Sequence, residues 1–121
     1  MKRKSDPRHL KRIKIMQELF SWNFHIKSKA KSYIQEITAN LGVIDSLIAK
    51  CAPDRPIDKI NKIDLAILRL SVCELIIKKD TPPKVVIDEA VELGKEFGSD
   101  SSPGFVNGVL GKAVQIENII T

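Results

Sequence analysis

Hydrophobic residues recur at intervals of three and four along most of the chain, which is the spacing of amphipathic helices. Asp6-Pro7 predicts a helix start, because aspartate caps helix N-termini and proline fits the first turn. This first helix is predicted to run to about Phe24, with one hydrophobic face formed by Leu10, Ile13, Met16, Phe20 and Phe24. The opposite side is basic at its start, where we expect Arg8, Lys11 and Arg12 to be exposed. Farther along it becomes apolar, so the later part of the helix is expected to be buried on both sides, the second side being formed by Ile15, Leu19, Trp22 and Ile26.

Four more helical segments follow. The second is predicted over 30–51 and ends before two prolines, Pro53 and Pro56. The third, over 62–79, is hydrophobic on all sides and is therefore expected at the centre of the fold. Its Glu74 falls on an apolar side, so this carboxylate needs a buried partner such as an arginine or a cluster of backbone N–H groups.

The last two helices are separated from the central one and from each other by proline and glycine. One follows Pro82-Pro83 and ends at Gly98, with a solvent face expected at Asp88, Glu89, Glu92 and Glu96. The other is predicted to begin at Ser102-Pro103. No segment alternates as a strand does, so the fold class is all-α: a compact helical bundle of about five to six helices.

Composition fits a single globular domain over 1–121, since 43% of the 121 residues are hydrophobic and 29% are charged. The two cysteines, Cys51 and Cys73, have no metal-binding or redox spacing and are expected to be reduced core thiols of a cytoplasmic protein. No hydrophobic run is long enough to cross a membrane, so no membrane association is expected.

Positive charge is concentrated at one end of the chain. Residues 1–31 hold ten Lys and Arg against Asp6 and Glu18, a net +8, whereas the rest has a net −3. Residues 1–7 are predicted to be a flexible basic arm. Its Lys2, Arg3 and Lys4, continued by the basic start of the first helix, suit a phosphate backbone, although a solubilising tail would have the same composition.

Catalysis is not predicted. His9 and His25 lie near no pattern of a catalytic triad or metal site, and we expect both to be solvated or RNA-facing. Asp88 and Glu89 point about 100° apart on a helix and cannot share a proton. The aromatic rings of Phe20, Trp22 and Phe105 are candidates for stacking on RNA bases, though burial in the core is the commoner role. The protein is therefore predicted to be no enzyme and to need no cofactor or metal.

Several blocks of sequence resemble the NusB family. Residues 67–75, ILRLSVCEL, are similar to the family's ILRLAxYEL; residues 83–97, PKVVIDEAVELGKEF, to its PxxVxINEAVELAKxF; and residues 105–110 are its FVNGVL. The segment from Arg8 to Trp22 resembles the family's arginine-rich first helix. These blocks cover about half of the chain in the family's order.

The resemblance implies a helical transcription antitermination factor. NusB proteins bind boxA RNA in nascent ribosomal transcripts together with NusE, a ribosomal protein, within the Nus complex that makes RNA polymerase resist termination. It implies that the basic arm with Arg8, Lys11 and Arg12 contacts RNA phosphates, and that Phe20 and Phe105 contact RNA. Asp64 matches an acidic position near the NusE and RNA surface.

The chain also departs from the family pattern. It is shorter between the first helix and residues 44–48, so a helix of the N-terminal half is expected to be missing or fused. Phe20 replaces a tyrosine and Gly111 a common aspartate. The alternative function is a helical protein-interaction or RNA-chaperone domain related to the N-terminal domain of RNA cytosine methyltransferases. The sequence leaves open monomer or homodimer, the transcripts served and the exact RNA preference.

Overall fold

The computed structural model describes residues 6–25 and 30–119, so Lys2, Arg3 and Lys4 lie outside it. Six α-helices are described, and the described residues contain no strand, which confirms the all-α prediction. They are α1 (Pro7–Asn23), α2 (Gln35–Ala39), α3 (Leu41–Cys51), α4 (Lys62–Cys73), α5 (Pro83–Phe97) and α6 (Ser102–Ile116). Short 3-10 turns occur at Ser32–Ile34 and Ile57–Lys59.

Helix α1 begins as predicted, but its buried residues agree only in part with those expected. The Asp6 side chain accepts a hydrogen bond from the Arg8 N–H, at 2.8 Å, and Pro7 occupies the first helical position. Leu10 and Phe24, expected on the hydrophobic face, are 49% and 58% exposed. The buried residues of α1 are His9, Ile15, Met16 and Leu19. The two apolar sides expected of α1 hold Met16 on one and Ile15 and Leu19 on the other, so periodicity missed only the polar residue His9 among the buried ones.

The predicted second helix is divided into the 3-10 turn, α2 and α3. Asn40 separates α2 from α3, and its side-chain amide donates to the Glu36 carbonyl at 2.7 Å. An asparagine that bonds the backbone in this way competes with the helical hydrogen-bond pattern. The shortened N-terminal half thus contains a helix of only five residues, α2.

Helix α4 lies at the centre, as predicted, with every residue from Asp64 to Cys73 buried and α1, α3, α5 and α6 packed around it. It continues as one π-helical turn, Glu74–Lys78, which ends where Lys79 adopts a left-handed conformation with φ 56°. The predicted single helix over 62–79 is therefore an α-helix followed by a wider turn.

Helices α5 and α6 approach each other closely where they are joined. A Cβ on Gly94 would lie 3.3 Å from the backbone nitrogen of Pro103. Ser102 was expected to cap α6, but it lies in the first turn, and its hydroxyl accepts the Ser99 N–H at 2.9 Å. The absence of a Cβ at Gly94 therefore lets the start of α6 pack directly against α5.

Both cysteines are free and buried, as expected of core thiols. Burial raises the pKa of Cys51, and it raises that of Cys73 to about 11. Within the described parts of the chain, no helix has the length and apolar character needed to cross a membrane.

Candidate nucleic-acid interface

Two basic side chains at the start of α1 face the solvent. Arg8 has 85% of its side-chain surface exposed, and its nearest acidic contact is a long one, with Nη2 3.5 Å from Asp6 Oδ2. Lys11 is also exposed. Both positive charges are therefore available to a phosphate backbone, as the sequence predicted.

Arg12 has a different environment from Arg8. Its Nε donates to Glu74 Oε2 at 3.0 Å and its Nη2 to Glu74 Oε1 at 2.7 Å, while Nη1 lies 3.5 Å from Glu89 Oε1. The hydrogen bonds to Glu74 raise the pKa of Arg12. Only 12% of its side chain is exposed, so the expectation of an exposed Arg12 is wrong. Of the two kinds of partner expected for Glu74, an arginine or a cluster of backbone N–H groups, the structure shows the arginine.

His9 is buried between two carboxylates of α5. Its Nδ1 lies 3.0 Å from Glu89 Oε1, its Nε2 lies 2.5 Å from Glu96 Oε1, and the residue is 3% exposed. The expectation that His9 is solvated or RNA-facing is therefore wrong, as is the placement of Glu89 on a solvent face. The sequence did carry a signal, because Glu89 follows Val86 by three residues and precedes Leu93 by four, which is the spacing of the buried face.

A cleft runs between the start of α1, the corner after the π-helical turn, and the start of α5. Its walls carry both signs of charge, with Asp6, Arg8 and Arg12 on the α1 side and Asp80, Asp88 and Glu89 on the other. The charged residues that line a neighbouring groove are mostly basic, namely Arg8, Lys11, Arg12 and Lys78 with Glu74 and Asp80. The positive charge is thus concentrated along the outer side of α1 and does not fill the cleft.

The two phenylalanines expected to stack on bases are half-buried. Phe20 packs against the core and makes an edge contact with exposed Phe24, with ring centroids 5.1 Å apart. Phe105, on α6, has the Arg55 guanidinium 4.2 Å above its ring centroid. Arg55 was not singled out by the sequence, because nothing in its loop indicates a contact with a ring fifty positions away. Trp22 is also half-buried, and its Nε1 has no partner among the described residues.

Asp64 lies far from the basic start of α1. It is only 3% exposed at the first turn of α4, where the Asn61 side chain accepts its N–H at 3.3 Å. Asp64 Oδ1 is buried with no hydrogen-bond partner among the described residues. Ten helical residues separate it from Glu74, which corresponds to about 15 Å along the helix axis. The structure therefore groups Arg8, Lys11 and Arg12 but does not bring Asp64 to them.

Another arginine, Arg69, ties three helices together. Its guanidinium makes two hydrogen bonds to Asp45, at 3.0 and 2.9 Å, and one to the Asn23 side chain, at 2.9 Å. Arg69 is buried, so it joins α4 to α3 and to the end of α1 rather than facing a ligand. In the sequence, Arg69 is distinguished only as part of the ILRL block.

Comparison with known proteins settles the family. The model of the NusB family matches residues 7–115, almost the whole described chain. The chain belongs to the NusB family. It is 43% identical over 99 residues to the transcription antitermination protein NusB of Alkaliphilus oremlandii, covering 78% of this chain and 72% of the relative. To that of Colwellia psychrerythraea it is 36% identical over 133 residues, covering 93% and 96%.

The architecture agrees with that assignment. The structure of NusB from Thermotoga maritima superposes with a TM-score of 0.83 at 30% identity, over 91% of this chain and 92% of that one. The chain is thus a non-enzymatic transcription antitermination factor of the NusB type. The shortened N-terminal half leaves the NusB bundle intact.

Proposed function

We propose that this NusB protein binds boxA-like single-stranded RNA together with NusE in the cytoplasm and thereby helps RNA polymerase resist termination. The observation that carries the proposal is the pair of exposed cations, Arg8 and Lys11, on the first turns of α1. They continue the run of Lys2, Arg3 and Lys4 in the sequence. Such a run releases counterions from a phosphate backbone and holds RNA without reading its bases.

Base recognition is assigned to the half-buried phenylalanines. Phe20 lies twelve residues after Arg8 on α1, about 18 Å along the helix axis and about 120° around it, so one strand of RNA would have to wind around the helix to contact both. Phe105 presents its ring with the Arg55 guanidinium over it. Both aromatic rings and guanidinium planes stack on unpaired bases, which supports a contact with single-stranded RNA here.

Arg12 and Asp64 have different proposed roles. Arg12 already satisfies Glu74, so its contact with RNA is expected to be secondary to that of Arg8. Asp64, which matches an acidic position near the NusE surface of the family, is proposed to lie beneath the surface that docks NusE. RNA and NusE would then meet different ends of α4.

The RNA proposal is tested with variants that separate phosphate contacts from base contacts. Arg8→Ala and Lys11→Ala should weaken binding to a boxA-like oligonucleotide and to its scramble alike, measured by fluorescence anisotropy. Each lost phosphate contact should reduce the salt slope by about 0.7. Exposed Lys50, on α3, provides a control, and Lys50→Ala should leave affinity and slope unchanged.

Phe20→Leu and Phe105→Leu keep most of the apolar volume but remove the ring. A stacking role predicts a loss of about 1–3 kcal/mol in binding boxA-like RNA, with an unchanged salt slope. Phe97→Leu, at a partly exposed ring of α5, is the matched control and should bind normally. Loss of thermal stability with normal RNA binding by Phe20→Leu and Phe105→Leu would instead assign these rings to the core. Equal affinity of the unmodified protein for boxA and scramble would favour the RNA-chaperone alternative.

A further inference from the structure

His9, in the first turn of α1, has a carboxylate within hydrogen-bond distance of each of its two ring nitrogens. Glu89 and Glu96, which approach its two nitrogens, are seven residues apart on α5 and so share one face of that helix. The contacts join parts of the chain that are 80 and 87 positions apart. They therefore fix where the start of α1 lies on α5.

Counting protons shows what this bridge requires. An ionised carboxylate only accepts hydrogen bonds, so two carboxylates facing the two ring nitrogens need an N–H on each. A neutral imidazole has one N–H and one bare nitrogen, whose lone pair would face a carboxylate oxygen. Removing one proton from this three-residue group therefore breaks one of its two hydrogen bonds.

We propose that His9 is a positioning residue: in its doubly protonated form it fastens the start of α1 to α5 and so holds Arg8 and Lys11 where they meet RNA phosphates. The inference rests on the proposed RNA binding. His9 follows Arg8 directly and precedes Lys11 by two residues, within one helical turn, so any displacement of this turn displaces both cations.

The charges around the ring favour its protonated form. Glu89 and Glu96 face it from α5, and Arg12, on α1, is shared between Glu89 and Glu74 of the π-helical turn. Asp6, Asp80 and Asp88 line the adjoining cleft together with Arg8. Glu74 and Glu89 contact Arg12, and Glu96 contacts His9, so an imidazolium adds a second positive charge to this group of three glutamates.

The pH dependence follows from these contacts. Burial lowers the pKa of His9, but the hydrogen bonds to Glu89 and Glu96 and their negative charges outweigh it, so the pKa is raised above its ordinary 6.5. A raised pKa means that the bridge is fully present below the unfolded-state value and is lost as the pH rises through the folded-state value. RNA affinity is therefore expected to fall on the alkaline side.

The experiment measures affinity for a boxA-like oligonucleotide from about pH 6 to about pH 9 at fixed ionic strength. We expect the unmodified protein to bind at least about fivefold more weakly at the alkaline end. His9→Gln should bind at that weaker level at every pH. The control is His25→Gln, at the other histidine, which is exposed beyond the end of α1 and should keep the full pH dependence.

Nuclear magnetic resonance supplies a second readout on the unmodified protein. The ring nitrogens of His9 should both be protonated at neutral pH, and their titration should share its midpoint with the change in RNA affinity. If His9→Gln does not fold, Glu96→Gln replaces it, because that side chain is nearer the surface. Its RNA affinity should lose the pH dependence.

Three results would overturn the positioning role: an RNA affinity independent of pH, a pH dependence retained by His9→Gln or Glu96→Gln, or a different midpoint for the ring titration. Absence of RNA binding at every pH would overturn the proposed function instead. In that case the bridge is judged by amide exchange alone, where the N–H groups of the first turns of α1 should lose protection as His9 deprotonates.

Discussion

Two arginines four residues apart on α1 have opposite surroundings. Arg8 is almost fully exposed, whereas Arg12 makes a two-pronged ion pair with Glu74 that is largely buried. Arg12→Leu removes the guanidinium that bonds both oxygens of the buried Glu74 carboxylate and should lower the free energy of unfolding by about 3 kcal/mol. Arg8→Leu should change it by less than about 0.5 kcal/mol. Urea denaturation at neutral pH measures both.

The double variant Arg12→Leu with Glu74→Leu distinguishes the ion pair from general packing. Because it removes the stranded carboxylate as well, it should recover most of the stability that Arg12→Leu loses. An equal effect of Arg8→Leu and Arg12→Leu would contradict the buried pair. For RNA binding the ranking should be reversed, with Arg8→Leu the more damaging variant.

For single residues, the sequence showed that Glu74 requires a buried partner but did not show which residue that partner is. The position of Glu74 on an apolar side showed that it needs a buried partner, but 62 positions separate it from Arg12 and no local pattern links them. His9 was misplaced for the same reason. Hydrophobic periodicity treats a histidine as polar, while two glutamates on another helix make its burial favourable.

At the level of helices, the close packing where α5 joins α6 requires glycine at position 98, because a Cβ there would clash with Ser102. A Cβ on Gly98 would lie 2.4 Å from Ser102 Oγ and 2.5 Å from Ser102 Cβ. Gly98→Ala should therefore lower the free energy of unfolding by about 1–3 kcal/mol through overpacking. At Gly108, in the middle of α6, a Cβ meets nothing within 4 Å. Gly108→Ala should instead raise stability by about 0.5–1 kcal/mol, since alanine favours the helix.

Thermal unfolding of the two variants gives the comparison directly, because both replace one hydrogen by one methyl group. Opposite shifts in the midpoint are expected. Two shifts of the same sign would contradict the close approach of α6 to the end of α5.

Helix ends that are marked by proline could be predicted from the sequence, whereas interruptions without proline could not. Prolines mark the start of α5 and the end of α3, and both were predicted. The break at Asn40 and the π-helical turn after Cys73 were not. Because this helix is hydrophobic on all sides, it has no single apolar face. The extra residue of a π-helical turn therefore produces no visible shift in the hydrophobic pattern.

Over the whole molecule, positive charge is concentrated in the N-terminal region, and the remainder has a small net negative charge. Residues 1–31, which include α1, have a net charge of +8, and Arg8 and Lys11 are exposed on the outer side of that helix. Residues 32–121 have a net charge of −3. The all-α class and the basic end followed from the sequence. The mixed charge of the cleft beside α1 did not, because it brings together acids from α5 and from the corner after α4.

The most direct test of the proposed antitermination role is RNA affinity measured with and without NusE. If RNA and NusE occupy the same NusB protein as parts of one assembly, saturating NusE should tighten binding to a boxA-like oligonucleotide by at least about fivefold. Saturating RNA should tighten NusE binding by the same factor, because the coupling is reciprocal. The scrambled oligonucleotide should gain less. An RNA affinity that saturating NusE leaves unchanged would contradict the proposal.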